Sequence, residues 1–207
     1  MFVVHENSIS SLDGGGFPGW LTNIPAKART NQTGYTTAWT PYIKAVAKFI
    51  EPHQYPDGPI IVVQSENELP TSTPGDPGRT EYMQELEDTL RLNGVNKVPL
   101  TSNDPFHTGA YATGPGAVDL YTFDSYPQGF DCSNPTAWPE VNTTDQTSDH
   151  QRFNPDELWA ASEFQGGVSD VWGGPGYDAC FIMTNEQFAN VHYKVLVSGI
   201  PREYLTN

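Results

Sequence analysis

The sequence predicts an α/β fold, a (β/α)8 TIM barrel truncated at both ends. Short apolar runs alternate with longer segments of helical period, the order in which strands and crossover helices build a parallel sheet. The apolar runs also finish in polar or acidic residues, at Glu68, Asp104, Asp124 and Glu163. In parallel α/β architectures functional side chains gather at the carboxyl ends of strands, most completely in the eightfold barrel. Four or five strands and three helices can be placed in the 207 residues, whereas a closed barrel runs to about 250. The chain therefore reads as one domain over residues 1–207, a barrel with parts missing and no second domain.

Taken in order, Phe2-Val3-Val4 reads as a strand or the tail of one, and a glycine-rich loop follows from Asp13 to Leu21. Over residues 38–49, Tyr42, Val46 and Phe49 recur at helical spacing, with Ile43, Ala47 and Ile50 beside them. Pro41 is expected in the first turn, where its missing N–H costs nothing. Pro52, Pro56, Gly58 and Pro59 stop this helix. Ile60-Ile61-Val62-Val63 is a continuous β-branched run, the pattern of a strand buried on both faces. Residues 80–92 form a second helix with Met83, Leu86 and Leu90 inward, and Asn93-Gly94 terminates it. Short strands are expected at residues 98–100 and 118–123. Residues 132–155 form a long polar stretch without clear period. A strand over residues 158–161 then leads to Glu163, and a third helix over residues 186–198 turns Phe188, Val191 and Val195 inward.

Ten Lys and Arg stand against 25 Asp and Glu, a formal charge of −15. Such a surface repels phosphate backbones and anionic lipid, so neither nucleic acid nor a membrane is an expected partner. No window approaches 18 consecutive apolar residues, and the apolar start meets His5 and Glu6 too soon for a signal peptide. Two sequons, at Asn31 and Asn142, are candidate glycosylation acceptors. Cys132 and Cys180 are too few for a disulfide scaffold and too far apart for a metal knuckle, which leaves one long-range disulfide or two buried thiols. His5, His53, His107, His150 and His192 lack metal-ligand spacing, and no glycine-rich loop has the phosphate-cradle pattern. No metal and no cofactor is expected.

Two carboxylates from different strands of one closed sheet can face each other across the mouth of a barrel. When about 5 Å apart they can cleave a glycosidic bond, one as nucleophile and one as acid and then base. Their pKa values must differ for that, and repulsion between like charges supplies part of the difference. Glu68 and Glu163 are the candidates. Phe17, Trp20, Tyr126, Phe130, Trp138, Phe164 and Trp172 flank the proposed strand-end loops, and sugar rings stack their C–H faces on aromatic rings. Glu66 competes with Glu68, because two-residue alternation gives both the same direction while Asn67 points elsewhere. Residue order does not choose between them.

Five motifs occur in fixed order: Gly14-Gly15-Gly16-Phe17-Pro18-Gly19-Trp20-Leu21, Gln64-Ser65-Glu66-Asn67-Glu68, the run from Phe123-Asp124-Ser125-Tyr126 through Cys132 to Pro135, Glu163-Phe164-Gln165-Gly166-Gly167, and Trp172-Gly173-Gly174-Pro175-Gly176-Tyr177. Together they closely resemble the catalytic barrel of glycoside hydrolase family 35, in its secreted fungal β-galactosidase type, over nearly the whole chain. The resemblance implies a retaining exo-glycosidase acting on terminal β-galactosides, with about strands three to seven of the barrel present. It places the acid/base on Glu68 and the nucleophile on Glu163. It also implies sugar contacts from Asn67, toward the 2-hydroxyl, and from Tyr126. A disulfide Cys132–Cys180, secretion, and a monomer acting on a galactose-containing oligosaccharide or polysaccharide belong to the same expectation.

The sequence departs from that family at its start. Where the family carries Gly-Pro-Tyr-Ile-Asn-Ala-Glu, whose Asn and Glu grip galactose, this chain has residues 1–13, and the family's Glu falls near Ser11. The aromatic expected after the acid/base is Leu69. The alternative expectation is accordingly a non-catalytic carbohydrate-binding remnant or an inactive fragment.

Overall fold

The computed structural model describes residues 2–3, 18–71, 78–125, 140 and 144–164. The chain divides into two compact units, residues 1–124 with 156–162 and residues 125–155 with 163–207. The first unit is an α/β layer. It contains β1 (Phe2–Val3), a 3-10 turn at Gly19–Asn23, α1 (Thr33–Ile50), a second 3-10 turn at Glu51–His53, β2 (Val63–Asn67), α2 (Arg79–Leu92), β3 (Leu100–Asp104) and β4 (Leu120–Ser125). The sheet runs in chain order, and each of the pairs β1/β2, β2/β3 and β3/β4 is parallel. A last strand, β5 (Ala161–Phe164), follows β4 in that order and passes from the first unit into the second after Ser162. Consecutive parallel strands need a crossover. Here α1 supplies the first and α2 the second, while residues 105–119 link β3 to β4 through turns without a helix.

The strands β2 to β5 sit later in the chain than their apolar runs suggest. The β-branched run 60–63 contributes only Val63 to β2; Ile60 forms an isolated bridge with Gln54, and Ile61 is 60% exposed. β3 likewise begins at Leu100 and β4 at Leu120, each ending on an acidic or hydroxyl residue. β2 is buried along Val63–Glu66, as a strand covered on both faces should be, but most of it is polar rather than the apolar run itself. One face meets the helices through residues such as Val63 and Leu100, and the other carries buried Gln64, Thr101, Asn103 and Thr122. Each of these buried polar groups finds a hydrogen-bond partner in the backbone or in a neighbouring side chain. Thr101 Oγ1 reaches the Leu120 carbonyl at 2.6 Å, and Thr122 Oγ1 lies 2.6 Å from the Ser102 carbonyl.

The first helix is longer than expected, and its inward face is a different one. α1 starts at Thr33, and its buried stripe is Tyr35, Trp39, Ile43, Ala47 and Ile50, with the spacing of 3 and 4 that keeps one face of a 3.6-residue helix. Tyr42 and Phe49, which share helical spacing with Val46, are more than half exposed. Both sets satisfy the period, and only packing against α2 selects between them. Tyr82 of α2 meets Tyr35 at a ring distance of 5.7 Å and Trp39 edge-on at 5.9 Å. Because the helix begins five residues earlier than expected, Pro41 lies in its interior rather than its first turn. The ring removes one backbone donor, at an exposed position of the helix.

α2 follows its sequence pattern. Met83, Leu86 and Leu90 are buried against the sheet, joined by Tyr82 and the side chain of Glu87. Gly94 adopts φ +98, the Val95 N–H returns to the Leu90 carbonyl, and the helix ends where Asn93-Gly94 predicts. In the second unit, part of the stretch read as polar and aperiodic is helical, α3 (Thr144–Phe153). Its backbone continues into Asn154, whose N–H bonds the His150 carbonyl, and the Arg152 guanidinium stacks 4.7 Å from the Phe153 ring. The expected helix over residues 186–198 lies outside the described residues. No described helix is long and apolar enough to cross a membrane.

Candidate active site

The carboxyl end of β2 is built around a break in the strand's alternation. Val63 and Gln64 pair with Leu100 and Thr101, but the next partners are Glu66 with Ser102 and Asn67 with Asn103, so Ser65 is an extra residue in a β-bulge. The bulge changes which side chains share a face. Gln64 and Asn67, three residues apart, meet directly, with Gln64 Nε2 donating to Asn67 Oδ1 at 3.0 Å. Glu66 turns to the helix side, where Tyr82 Oη donates to it at 3.1 Å. Glu66 and Glu68 do not share the conformation that alternation gives them, because Glu66 lies within β2 and Glu68 follows it at φ +52.

Glu66 is buried and fully engaged. Arg29 clamps it with Nε to Oε1 at 2.9 Å and Nη2 to Oε2 at 2.8 Å, the fork geometry that matches a carboxylate. The same Nη2 donates to the Asn67 carbonyl at 2.5 Å, while the Asn67 N–H donates to Glu66 Oε2 at 2.8 Å. Burial alone would lower the Arg29 pKa, but the Glu66 carboxylate outweighs it and holds the guanidinium above its ordinary range. Both Glu66 oxygens are thereby occupied, Oε1 by Arg29 and Tyr82 and Oε2 by Arg29 and the Asn67 N–H.

Asn67 is held equally firmly by its side chain. Its Oδ1 accepts from Gln64 and, at 3.0 Å, from Asn103 Nδ2. Asn103 Oδ1 in turn accepts from Ser162 Oγ at 2.7 Å, and Ser162 Oγ lies 2.8 Å from Thr122 Oγ1. A chain of polar contacts thus crosses the sheet from β2 to β5. With both bonds falling on Oδ1, the Nδ2 donors of Asn67 are left for a ligand oxygen.

Glu68 leaves the strand. Its N–H bonds the Asn103 carbonyl at 2.9 Å, its φ is +52, and it is half-buried. A left-handed backbone is unfavourable for a residue with a β-carbon, and such residues cluster where function requires them. A carboxylate oxygen of buried Asp124, near the end of β4, lies within 4.8 Å of one from Glu68. The two other strand-end acids differ in kind. Asp104 is consumed by its own loop, accepting the N–H groups of Phe106, Thr108, Gly109 and Ala110 at 2.8–3.0 Å and Tyr121 Oη at 2.8 Å. Glu163 lies in β5, half-buried, in the second unit.

Of the residues singled out in the sequence, Asn67 and Glu68 stand together at the end of β2. Asn31 is exposed. Tyr126, Cys132, Cys180 and Asn142 lie outside the described residues, as do Phe17, Phe130, Trp138 and Trp172. His53 bonds the Phe49 carbonyl through Nδ1 at 2.7 Å, and His107 Nε2 meets the Asp124 carbonyl. Sequence reasoning passed over Arg29 and Asn103. Arg29 sits in a loop without periodicity and carries no local signal. Asn103 could have been found, because Thr101-Ser102-Asn103-Asp104 ends its strand in the same polar manner as the segment ending at Asn67.

Comparison with known proteins agrees with this arrangement of motifs. The family described as glycosyl hydrolases family 35 matches residues 9–200. A β-galactosidase of Aspergillus niger is 44% identical over 189 residues, covering 87% of this chain and 18% of that protein. The β-galactosidase A of a Penicillium species is 42% identical, covering 89% of this chain and 19% of its own length. A probable β-galactosidase A of Emericella nidulans is 38% identical across 95% of this chain and 20% of its own. The chain thus spans about a fifth of the length of these relatives, and it belongs to glycosyl hydrolases family 35.

Proposed function

We propose that this chain carries the acid/base and nucleophile strands of a retaining β-galactosidase, part of a (β/α)8 barrel whose substrate is a terminal β-galactoside. The observation that supports it best is the end of β2. There a hydrogen-bonded Asn67 keeps its Nδ2 donors for a sugar hydroxyl, beside a glutamate lifted out of the strand at φ +52. Glu163 attacks the anomeric carbon while Glu68 protonates the departing oxygen, giving a covalent galactosyl ester. Glu68, now ionised, takes a proton from water, which attacks the ester and releases galactose with retained configuration. Glu66 is unsuited to the acid role because both its oxygens are taken by Arg29, Tyr82 and the Asn67 N–H.

Tyr126 is assigned a sugar contact and Cys132–Cys180 a disulfide across the loop after β4. Asn31 and Asn142 are assigned as glycosylation acceptors in a secreted protein, which acts as a monomer. Hydrolysis of 4-nitrophenyl β-galactoside by the purified chain, beside Glu68→Gln and Glu163→Gln, tests the reading. Turnover by the wild type with at least a thousandfold loss in Glu163→Gln is expected, and a full rate in that variant overturns the assignment. The departure at residues 1–13, where the family's galactose-gripping Asn and Glu are replaced, favours one second reading, a carbohydrate-binding remnant. Galactose binding without turnover selects it.

A further inference from the structure

We propose that the Arg29–Glu66 pair is a positioning device that fixes the peptide groups on both sides of Asn67 and thereby aims Glu68. This deepens the reading above and rests on Glu68 as the acid/base. A strand's last residue ordinarily has its N–H and C=O held by the neighbouring strands. Here the Asn67 N–H goes to Glu66 Oε2 at 2.8 Å and its carbonyl to Arg29 Nη2 at 2.5 Å, so one ion pair grips the residue at both ends. The carbonyl it grips belongs to the peptide that leads into Glu68. The bond from the Glu68 N–H to the Asn103 carbonyl fixes the other end of that peptide. Both atoms of the plane are thus anchored, and the direction of the Glu68 side chain is set by φ +52 rather than by a freely relaxing loop.

Two features argue that geometry, rather than stability, is what the pair provides. Burying two charges is a weak route to stability, because desolvation offsets most of their attraction. Arg29 also holds a left-handed backbone, φ +59, with which it reaches Glu66 and Asn67 together. Strain at two non-glycine residues joined by one bonded network is the signature of a constellation that the surrounding contacts over-determine. Tyr82 completes the network from α2 and ties the pair to a rigid helix.

The test uses the full chain with Glu66→Gln and Arg29→Lys. The lysine keeps a charge opposite Glu66 but cannot bridge to the Asn67 carbonyl, so it carries the same test if Glu66→Gln does not melt cooperatively. Rates are compared for a phenyl β-galactoside, whose leaving group needs protonation, and a 2,4-dinitrophenyl β-galactoside, whose leaving group does not. Misaiming an acid by about 1 Å costs on the order of a hundredfold. The phenyl-to-dinitrophenyl rate ratio should therefore fall by about 30-fold or more in both variants. An equal loss on both substrates, as a general structural fault would give, overturns the proposal, and so does an unchanged ratio. Amide hydrogen exchange separates this from the parent reading. In Glu66→Gln, exchange at the Asn67 N–H should quicken at least tenfold while β3 amides keep their protection. If the wild type hydrolyses neither substrate, the acid/base reading falls and this measurement alone decides the clamp, which unchanged exchange at Asn67 refutes.

Discussion

Replacing Glu87 with glutamine should stabilise the protein at neutral pH and flatten its dependence on pH. Glu87 lies on the inward side of α2, 7% exposed, and burial raises its pKa from 4.5 to about 8. The nearby Asp119 and Asp88 carboxylates push in the same direction, and Arg91 opposes them. Arg91 is committed elsewhere, to Asp119 and to the Val95 and Val98 carbonyls. A carboxyl that binds its proton more tightly in the folded state favours folding fully below its unfolded value. That contribution is lost as the pH rises through the folded value. The window is therefore pH 4.5 to about 8. At about 1.4 kcal/mol per pH unit the whole rise is worth at most about 5 kcal/mol, of which roughly 3 kcal/mol is gone by pH 7. Glutamine mimics the protonated acid at every pH. Glu87→Gln should match the wild type near pH 4 and exceed it by about 2–3 kcal/mol at pH 7. Urea unfolding followed by helical circular dichroism at half-unit steps from pH 4 to 9 measures this, and subtracting the two curves cancels the other titrating groups. Parallel curves, or a variant less stable than the wild type at pH 7, would refute the reasoning.

Four other substitutions probe the same unit by the same unfolding assay. Met83→Ala empties a fully buried position between α2 and the sheet and should cost about 2–5 kcal/mol, whereas Leu92→Ala, 85% exposed two turns later, should cost less than about 0.5 kcal/mol. Gly94→Ala should cost about 1–2 kcal/mol, because φ +98 is unfavourable for alanine and the new β-carbon would lie 2.7 Å from Glu51 Cγ. Asp104→Asn sets an amide NH2 against donors that the carboxylate now accepts, and should cost about 2–3 kcal/mol. Faster exchange at the Thr108, Gly109 and Ala110 amides would locate that loss in the loop.

The sequence by itself determined the class of fold, the family, the existence of both helices of the first unit and the place where α2 stops. Alternating apolar runs and helical periods specify a parallel α/β layer, and Gly94 meets a backbone requirement that glycine satisfies at least cost. It also marked the strand ends that matter, because buried polar residues are compatible with a strand only where they find partners. What it could not settle was direction. Tyr42 and Phe49 fit the helical period as well as Ile43 and Ile50, and only packing against α2, with its Tyr82 ring, decides which stripe is covered. Two-residue alternation could not separate Glu66 from Glu68, because the strand ends at Asn67 and Glu68 turns to φ +52, while the inserted Ser65 brings Gln64 to Asn67. Arg29 lies 37 residues from Glu66, and no local pattern joins them. Local propensities act over a few neighbouring residues. Pairing across strands and between buried charges depends on which distant groups the fold brings within 3 Å, and that was decided by the tertiary structure alone.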